Sequence, residues 1–118
     1  MIKQLKSKEL EEYIKNNPKT VLLDVRTKEE WNNDGKPNGD KIGVKTYFLS
    51  IGENFINEFK NLNIDRNNEI LIMCAAGTRS QIASQLLTQE NFNCSNISDG
   101  FLGNQEDIGW KNSGLPWE

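Results

Sequence analysis

Ile70-Leu71-Ile72-Met73-Cys74-Ala75-Ala76-Gly77-Thr78-Arg79-Ser80 is the stretch that decides the fold. Its first four residues are an apolar run of strand length. The residues after it, Gln81-Ile82-Ala83-Ser84-Gln85-Leu86-Leu87, read as an amphipathic helix. A lone thiol thus stands where a buried strand ends, a small-residue loop turns and a helix begins. Backbone N–H groups converge at such a place and favour an anion. A thiolate is an anion and is the nucleophilic form of cysteine. The pattern predicts a reactive Cys74 rather than an inert buried thiol.

The rest of the chain repeats the strand-to-helix alternation. Ser7 reads as the N-cap of a helix carrying Leu10, Tyr13 and Ile14, which Pro18 stops. Thr20-Val21-Leu22-Leu23-Asp24-Val25-Arg26 is apolar on both faces at its centre, as in a doubly covered strand. Thr27-Lys28-Glu29-Glu30 has the form of a capping box and opens a short helix holding Trp31. Asn32 to Gly43 reads as a loop and Val44 to Leu49 as a short strand. Phe55, Ile56, Phe59 and Leu62 follow helical spacing, and Asp65 to Asn68 is turn chemistry. After the helix to about Glu90, Phe92 to Ser98 is a weaker strand. The end, with Gly103, Gly109, Gly114 and Pro116 among aromatics, reads as irregular. This order predicts one α/β domain over residues 1–118, with a largely parallel central sheet flanked by helices. Ligands of such sheets bind beyond the carboxyl ends of the strands, where Cys74 and the residues after Val25 lie.

Composition narrows the chemistry. The net charge of −3, with scattered basic residues, carries no nucleic-acid footprint. No apolar stretch reaches membrane-spanning length, and Met1 to Lys6 lacks the apolar segment of a secretory signal. The sequence therefore predicts a cytoplasmic protein without membrane or nucleic-acid partners. There are two cysteines, Cys74 and Cys94, and no histidine. Neither a structural zinc site nor a Ser/His/Asp or Cys/His arrangement is available within the chain. No metal or organic cofactor is expected.

Four segments in order resemble the single-domain rhodanese-like sulfurtransferases: Leu22-Leu23-Asp24-Val25-Arg26 with Glu29-Glu30-Trp31; Cys74 to Ser80; Asp99-Gly100-Phe101; and Gly109 to Trp117. The resemblance covers nearly the whole chain. It implies that Cys74 takes a sulfane sulfur from a thiosulfate-like or persulfide donor and passes it to a thiol, to cyanide or to a partner protein's cysteine. It also implies that Ala75, Ala76, Gly77, Thr78, Arg79 and Ser80 form the substrate-binding cradle. Arg79 is either an anion ligand or a structural ion-pair partner, and the sequence leaves both open. Asp24 and Arg26 are expected to be structural, shaping the sheet's edge beneath the loop. Cys94 is expected in the core rather than as a resolving thiol, and Trp31, Trp110 and Trp117 are expected to cover the core edge.

The chain departs from the family pattern in three places. Many thiosulfate-using relatives place a cation directly after the cysteine, where this chain has Ala75. The common Gly-His-Ile-Pro-Gly-Ala type segment is rewritten as Gly35 to Gly43, where Lys36 and Lys41 supply charge only if they face the loop. The ending after Phe101 is short. Two alternatives stand beside sulfur transfer. One is a persulfide carrier or docking module serving a partner protein. The other, less favoured, is a cysteine phosphatase or arsenate reductase. Phosphatase loops place five residues between cysteine and arginine, whereas four separate Cys74 from Arg79.

Overall fold

A computed structural model describes all residues, Met1–Glu118. Five parallel strands form one sheet: β1 (Lys3–Leu5), β2 (Thr20–Asp24), β3 (Lys45–Phe48), β4 (Glu69–Met73) and β5 (Asn93–Ile97), in the order β1-β5-β4-β2-β3. Helices α1 (Ser7–Asn16), α2 (Lys28–Asp34), α3 (Phe55–Lys60), α4 (Thr78–Gln89) and α5 (Gly109–Asn112) connect or follow them. The predicted α/β class and parallel sheet are both present.

The two-period of a strand sorts the apolar runs into two cores. Val21, Leu23, Ile70, Ile72 and Cys74 face α3 and α4, where they meet Phe55, Phe59, Ala83 and Leu87. Leu22, Leu71, Met73 and Ile97 face the other way, against Leu10 and Ile14 of α1 and Trp110 of α5. The central strands β2 and β4 are therefore buried on both sides, which is why their sequences are apolar without alternation.

Several local expectations are corrected. Ser7 is not the N-cap of α1. Lys6 holds that position, and Glu9 closes the turn by accepting from the Lys6 N–H at 2.9 Å. Ser7 instead donates its N–H and its hydroxyl to the buried Asp99 carboxylate, at 3.0 and 2.9 Å. The expected loop from Asn32 is helical as far as Asp34, and its second half holds a 3-10 turn, Gly39–Ile42. The end is not wholly irregular, because α5 buries Trp110 completely. Strand β1 was not foreseen: only Leu5 in it is buried, and pairing with β5 holds it in place. The exposed flank of α4 carries Ile82, while its buried face is Ser80, Ala83, Ser84 and Leu87. That face is small and half polar, which lets α4 lie close to the sheet near the cysteine.

Candidate active site

Cys74 is the first residue past β4 and is 1 % exposed. The chain turns through Ala75 and Ala76 to Gly77, the N-cap of α4, whose φ is +108°. Glycine is required there on two counts. L-residues disfavour that backbone region, and a Cβ would collide with the Ser98 carbonyl on β5's exit. The turn aims the Gly77 N–H at Cys74 Sγ, at 3.1 Å. Ser80, one turn into α4, brings its Oγ to 3.3 Å from the same sulfur.

These contacts decide the charge of the thiol. Burial opposes ionisation, but the Ser80 hydroxyl and the backbone amides of Ser80, Ala76 and Gly77 outweigh it, so Cys74 titrates below an ordinary cysteine. Ala76, Gly77 and Ser80 of the expected cradle thus converge on the sulfur. Ala75 and Thr78 make no bond to it. Ala75 is half-buried and Thr78 exposed on the outer side of the loop.

Arg79 points elsewhere. Its guanidinium donates from Nη1 to Glu30 Oε1 at 2.6 Å and from Nη2 to Glu30 Oε2 at 2.8 Å. Glu30 is also the capping-box residue of α2, with the Thr27 N–H donating to its Oε1 at 3.1 Å. The pair therefore clamps the cysteine loop to the first turn of α2. Arg79 holds the Glu30 carboxyl well below the usual carboxylate range, at about 2. The ion-pair role left open by the sequence is occupied. Lys36 lies over the Phe48 ring, 5.7 Å from its centroid, and Lys41 stands exposed on the 3-10 turn.

Asp24 and Arg26 form a fully buried bidentate pair, with Arg26 Nε and Nη2 donating to Asp24 Oδ2 at 3.0 and 2.9 Å. Burial pushes the Asp24 carboxyl up and Arg26 pulls it part of the way back. Arg26 also donates to the Gly35 carbonyl at 2.8 Å and lies 4.2 Å from the Phe101 ring centroid. Because β2 is an interior strand, the pair closes the carboxyl end of the sheet, not its lateral edge. It ties β2 to the end of α2 and to the segment after β5.

That last segment braces the loop from behind. Phe101 and Leu102 donate their N–H groups to the Cys74 and Ala75 carbonyls, at 2.8 and 2.9 Å. Asn104 Nδ2 donates to the Ala76 carbonyl at 3.2 Å and the Ser98 carbonyl at 3.0 Å. Asp99, 1 % exposed, accepts from Ser7 and from the Gly109 N–H and so anchors the segment at both ends. Sequence reading missed Glu30 as a clamp, Asp99 as an anchor and Asn96, which bonds to Ser80 and Gly77. Glu30 carried a signal, but its helix-capping role accounted for it fully.

Cys94 lies opposite Ile70 in the β4–β5 register, four residues back along the strand from Cys74. At roughly 3.3 Å per residue that is about 13 Å, beyond the reach of a disulfide. Burial pushes its thiol up to about 11. Cys94 is a core residue, as expected. Trp110 is fully inside the second core, whereas Trp117 is 46 % exposed and Trp31 packs edge-on against Phe48. No three His, Cys, Asp or Glu side chains gather in a metal-holding group, and no helix is long and apolar enough to cross a membrane.

The comparisons with known proteins agree with this geometry. An uncharacterized protein of Rickettsia conorii is 42 % identical over 106 residues, covering 86 % of this chain and 85 % of its own. A Debaryomyces hansenii protein named adenylyltransferase and sulfurtransferase UBA4 is 31 % identical over 80 residues, which are 68 % of this chain but 17 % of that protein. A crystal structure from M. tuberculosis superposes with a TM-score of 0.84 at 27 % identity, covering 98 % of this chain and 96 % of that one. A family profile described as Rhodanese-like domain matches residues 6–107. A parallel sheet with a cradled cysteine at the end of its central strand, and a profile match over most of the length, place the chain in the rhodanese-like domain family.

Proposed function

We propose that the protein is a sulfurtransferase that carries a sulfane sulfur on Cys74. The observation that supports it best is the cradle itself: a buried thiol held below its ordinary pKa by amides and a hydroxyl at the head of α4, with no imidazole in the chain. The Cys74 thiolate attacks the outer sulfur of the donor. The donor's sulfur–sulfur bond breaks and its remainder leaves with the electron pair, as sulfite from thiosulfate or as a thiolate from a persulfide. Cys74 then carries a persulfide whose terminal sulfur is anionic. An acceptor thiolate or cyanide attacks that sulfur and regenerates the Cys74 thiolate. No leaving group needs a proton, so the missing histidine is no obstacle. This is covalent catalysis through two easier steps.

The charge around the loop favours a persulfide donor over thiosulfate. Ala75 supplies no cation, and the Arg79 guanidinium is neutralised by Glu30. A dianion gains little there, while a monoanionic persulfide asks for less. The same observation supports the second reading, a persulfide carrier that receives sulfur from a partner protein's cysteine. A phosphatase needs a free arginine fork on the transferred oxyanion, and Arg79 is already spent on Glu30.

Intact-mass analysis tests the proposal. Treatment with thiosulfate and with a small-molecule persulfide should add one sulfur to the protein with at least one donor, and none to Cys74→Ser. An unchanged mass with both donors would refute it. Loading by the persulfide alone would favour the carrier.

A further inference from the structure

Ser80 Oγ holds one proton between two acceptors. It lies 2.6 Å from Asn96 Oδ1 and 3.3 Å from Cys74 Sγ. The Asn96 amide is fixed from its other end, where Nδ2 donates to the Gly77 carbonyl at 3.1 Å and to Gln4 Oε1 at 2.8 Å. A carbonyl only accepts, so the amide cannot be turned round and Oδ1 must face Ser80. Gln4 is held in turn by donating to Gln81 Oε1 at 2.7 Å. Asn96 is 2 % exposed, so its Oδ1 depends on Ser80 for a donor. A buried acceptor left without one costs free energy.

We infer that Asn96 is a positioning residue that competes with the Cys74 sulfur for the single Ser80 proton, and thereby sets how readily the thiol ionises and how nucleophilic its thiolate is. With Cys74 protonated, its S–H donates to Ser80 Oγ and Ser80 donates to Asn96, so every group is satisfied. On ionisation the sulfur draws the Ser80 proton to itself and leaves Asn96 Oδ1 bare. Once a sulfur is loaded, the charge moves one atom outward to the terminal sulfur, and the Ser80 proton returns to Asn96. The relay therefore penalises the empty thiolate relative to the loaded persulfide. It also keeps the thiolate more basic, and nucleophilicity rises with basicity.

This inference rests on Cys74 being the nucleophile proposed above, but not on the identity of the donor. The charged groups around the thiol are Arg79 of α4, its partner Glu30 of α2, and the Asp24–Arg26 pair at the end of β2. None of them hydrogen-bonds to Asn96, but Asn96 also holds the Gly77 carbonyl, whose own N–H reaches the sulfur, so the relay is isolated by comparing the change at Asn96 with and without Ser80.

The experiment is the pH dependence of Cys74 alkylation by iodoacetamide in wild type, Asn96→Ala, Ser80→Ala and the double variant, all in a Cys94→Ala background. Asn96→Ala should lower the thiol pKa by roughly one pH unit, the scale of one hydrogen bond to a charge. In the Ser80→Ala background the same change should leave the pKa unmoved. An absent shift in the single variant, or an equal shift with and without Ser80, would overturn the inference. If Asn96→Ala fails to unfold cooperatively, Asn96→Leu fills the same space without an acceptor for the Ser80 proton. It should also lower the pKa, and the lowering should vanish without Ser80; an equal lowering in both backgrounds overturns the inference. Alkylation needs no sulfur donor. Failure to load sulfur together with an Asn96-dependent titration would sink the sulfur-transfer reading and leave this one standing.

Discussion

Replacing Gly77 by alanine tests whether the loop's shape sets the thiol's charge. The φ of +108° is one that an L-residue adopts at a cost of roughly 1–2 kcal/mol. The new Cβ also meets the Ser98 carbonyl, which is backbone at the exit of β5 and cannot swing aside as a side chain would. The loop must shift, and the Gly77 N–H, now 3.1 Å from Sγ, goes with it. Losing one hydrogen bond to a charged sulfur is worth about 1.5–3 kcal/mol, which is roughly one to two pH units of thiol pKa. The expected outcome is a Gly77→Ala protein that unfolds at lower urea and whose Cys74 alkylation curve moves to higher pH. Urea titration and the pH dependence of the iodoacetamide rate measure both effects in one preparation. A variant with wild-type unfolding midpoint and wild-type alkylation curve would refute the argument, since it would show that neither the backbone nor this amide matters to the sulfur.

Three further outcomes follow from the site. Cys94→Ala should lower stability by about 1 kcal/mol, the cost of a small cavity, and leave sulfur loading and release intact; loss of release to thiols in a folded variant would assign Cys94 a resolving role and overturn the core reading. Glu30 has its carboxyl depressed to about 2, so the stability it adds is full above the ordinary carboxylate range and is lost as pH falls from about 4.5 through that value. Glu30→Gln should remove that acid-side dependence together with at most about 1 kcal/mol, because the pair is partly exposed, and an unchanged acid-unfolding profile would count against the clamp. Ala75→Arg should lower the Michaelis constant for thiosulfate, checked by steady-state kinetics with cyanide as acceptor, and no change would mean that charge at this position does not limit donor recognition.

Strands β2 and β4 and the cysteine loop were legible because their signals are local. A doubly buried strand must be apolar throughout, and a loop that ends in glycine before a helix has few shapes. The Thr27–Glu30 box was legible for the same reason, since its two hydrogen bonds close within three residues. Strand β1 was not, because three residues with one buried side chain owe their conformation to β5 rather than to their own pattern. Ser7 misled because its hydroxyl satisfies Asp99, 92 residues away, instead of its own helix. Nor did α5 announce itself, being four residues long and starting at a glycine with positive φ.

The sequence by itself determined the α/β class, the parallel sheet and the placing of a thiol at the head of α4. Hydrophobic period and turn chemistry are properties of neighbours in the chain, and they survive without knowledge of the fold. Only the tertiary structure decided which charges and protons that thiol meets. Arg79 is neutralised by Glu30, 49 residues away, and Ser80 is shared with Asn96, 16 residues away. Such pairings depend on how α2, α4 and β5 pack at one end of the sheet. A side-chain hydrogen bond acts over about 3 Å, whatever the separation in sequence.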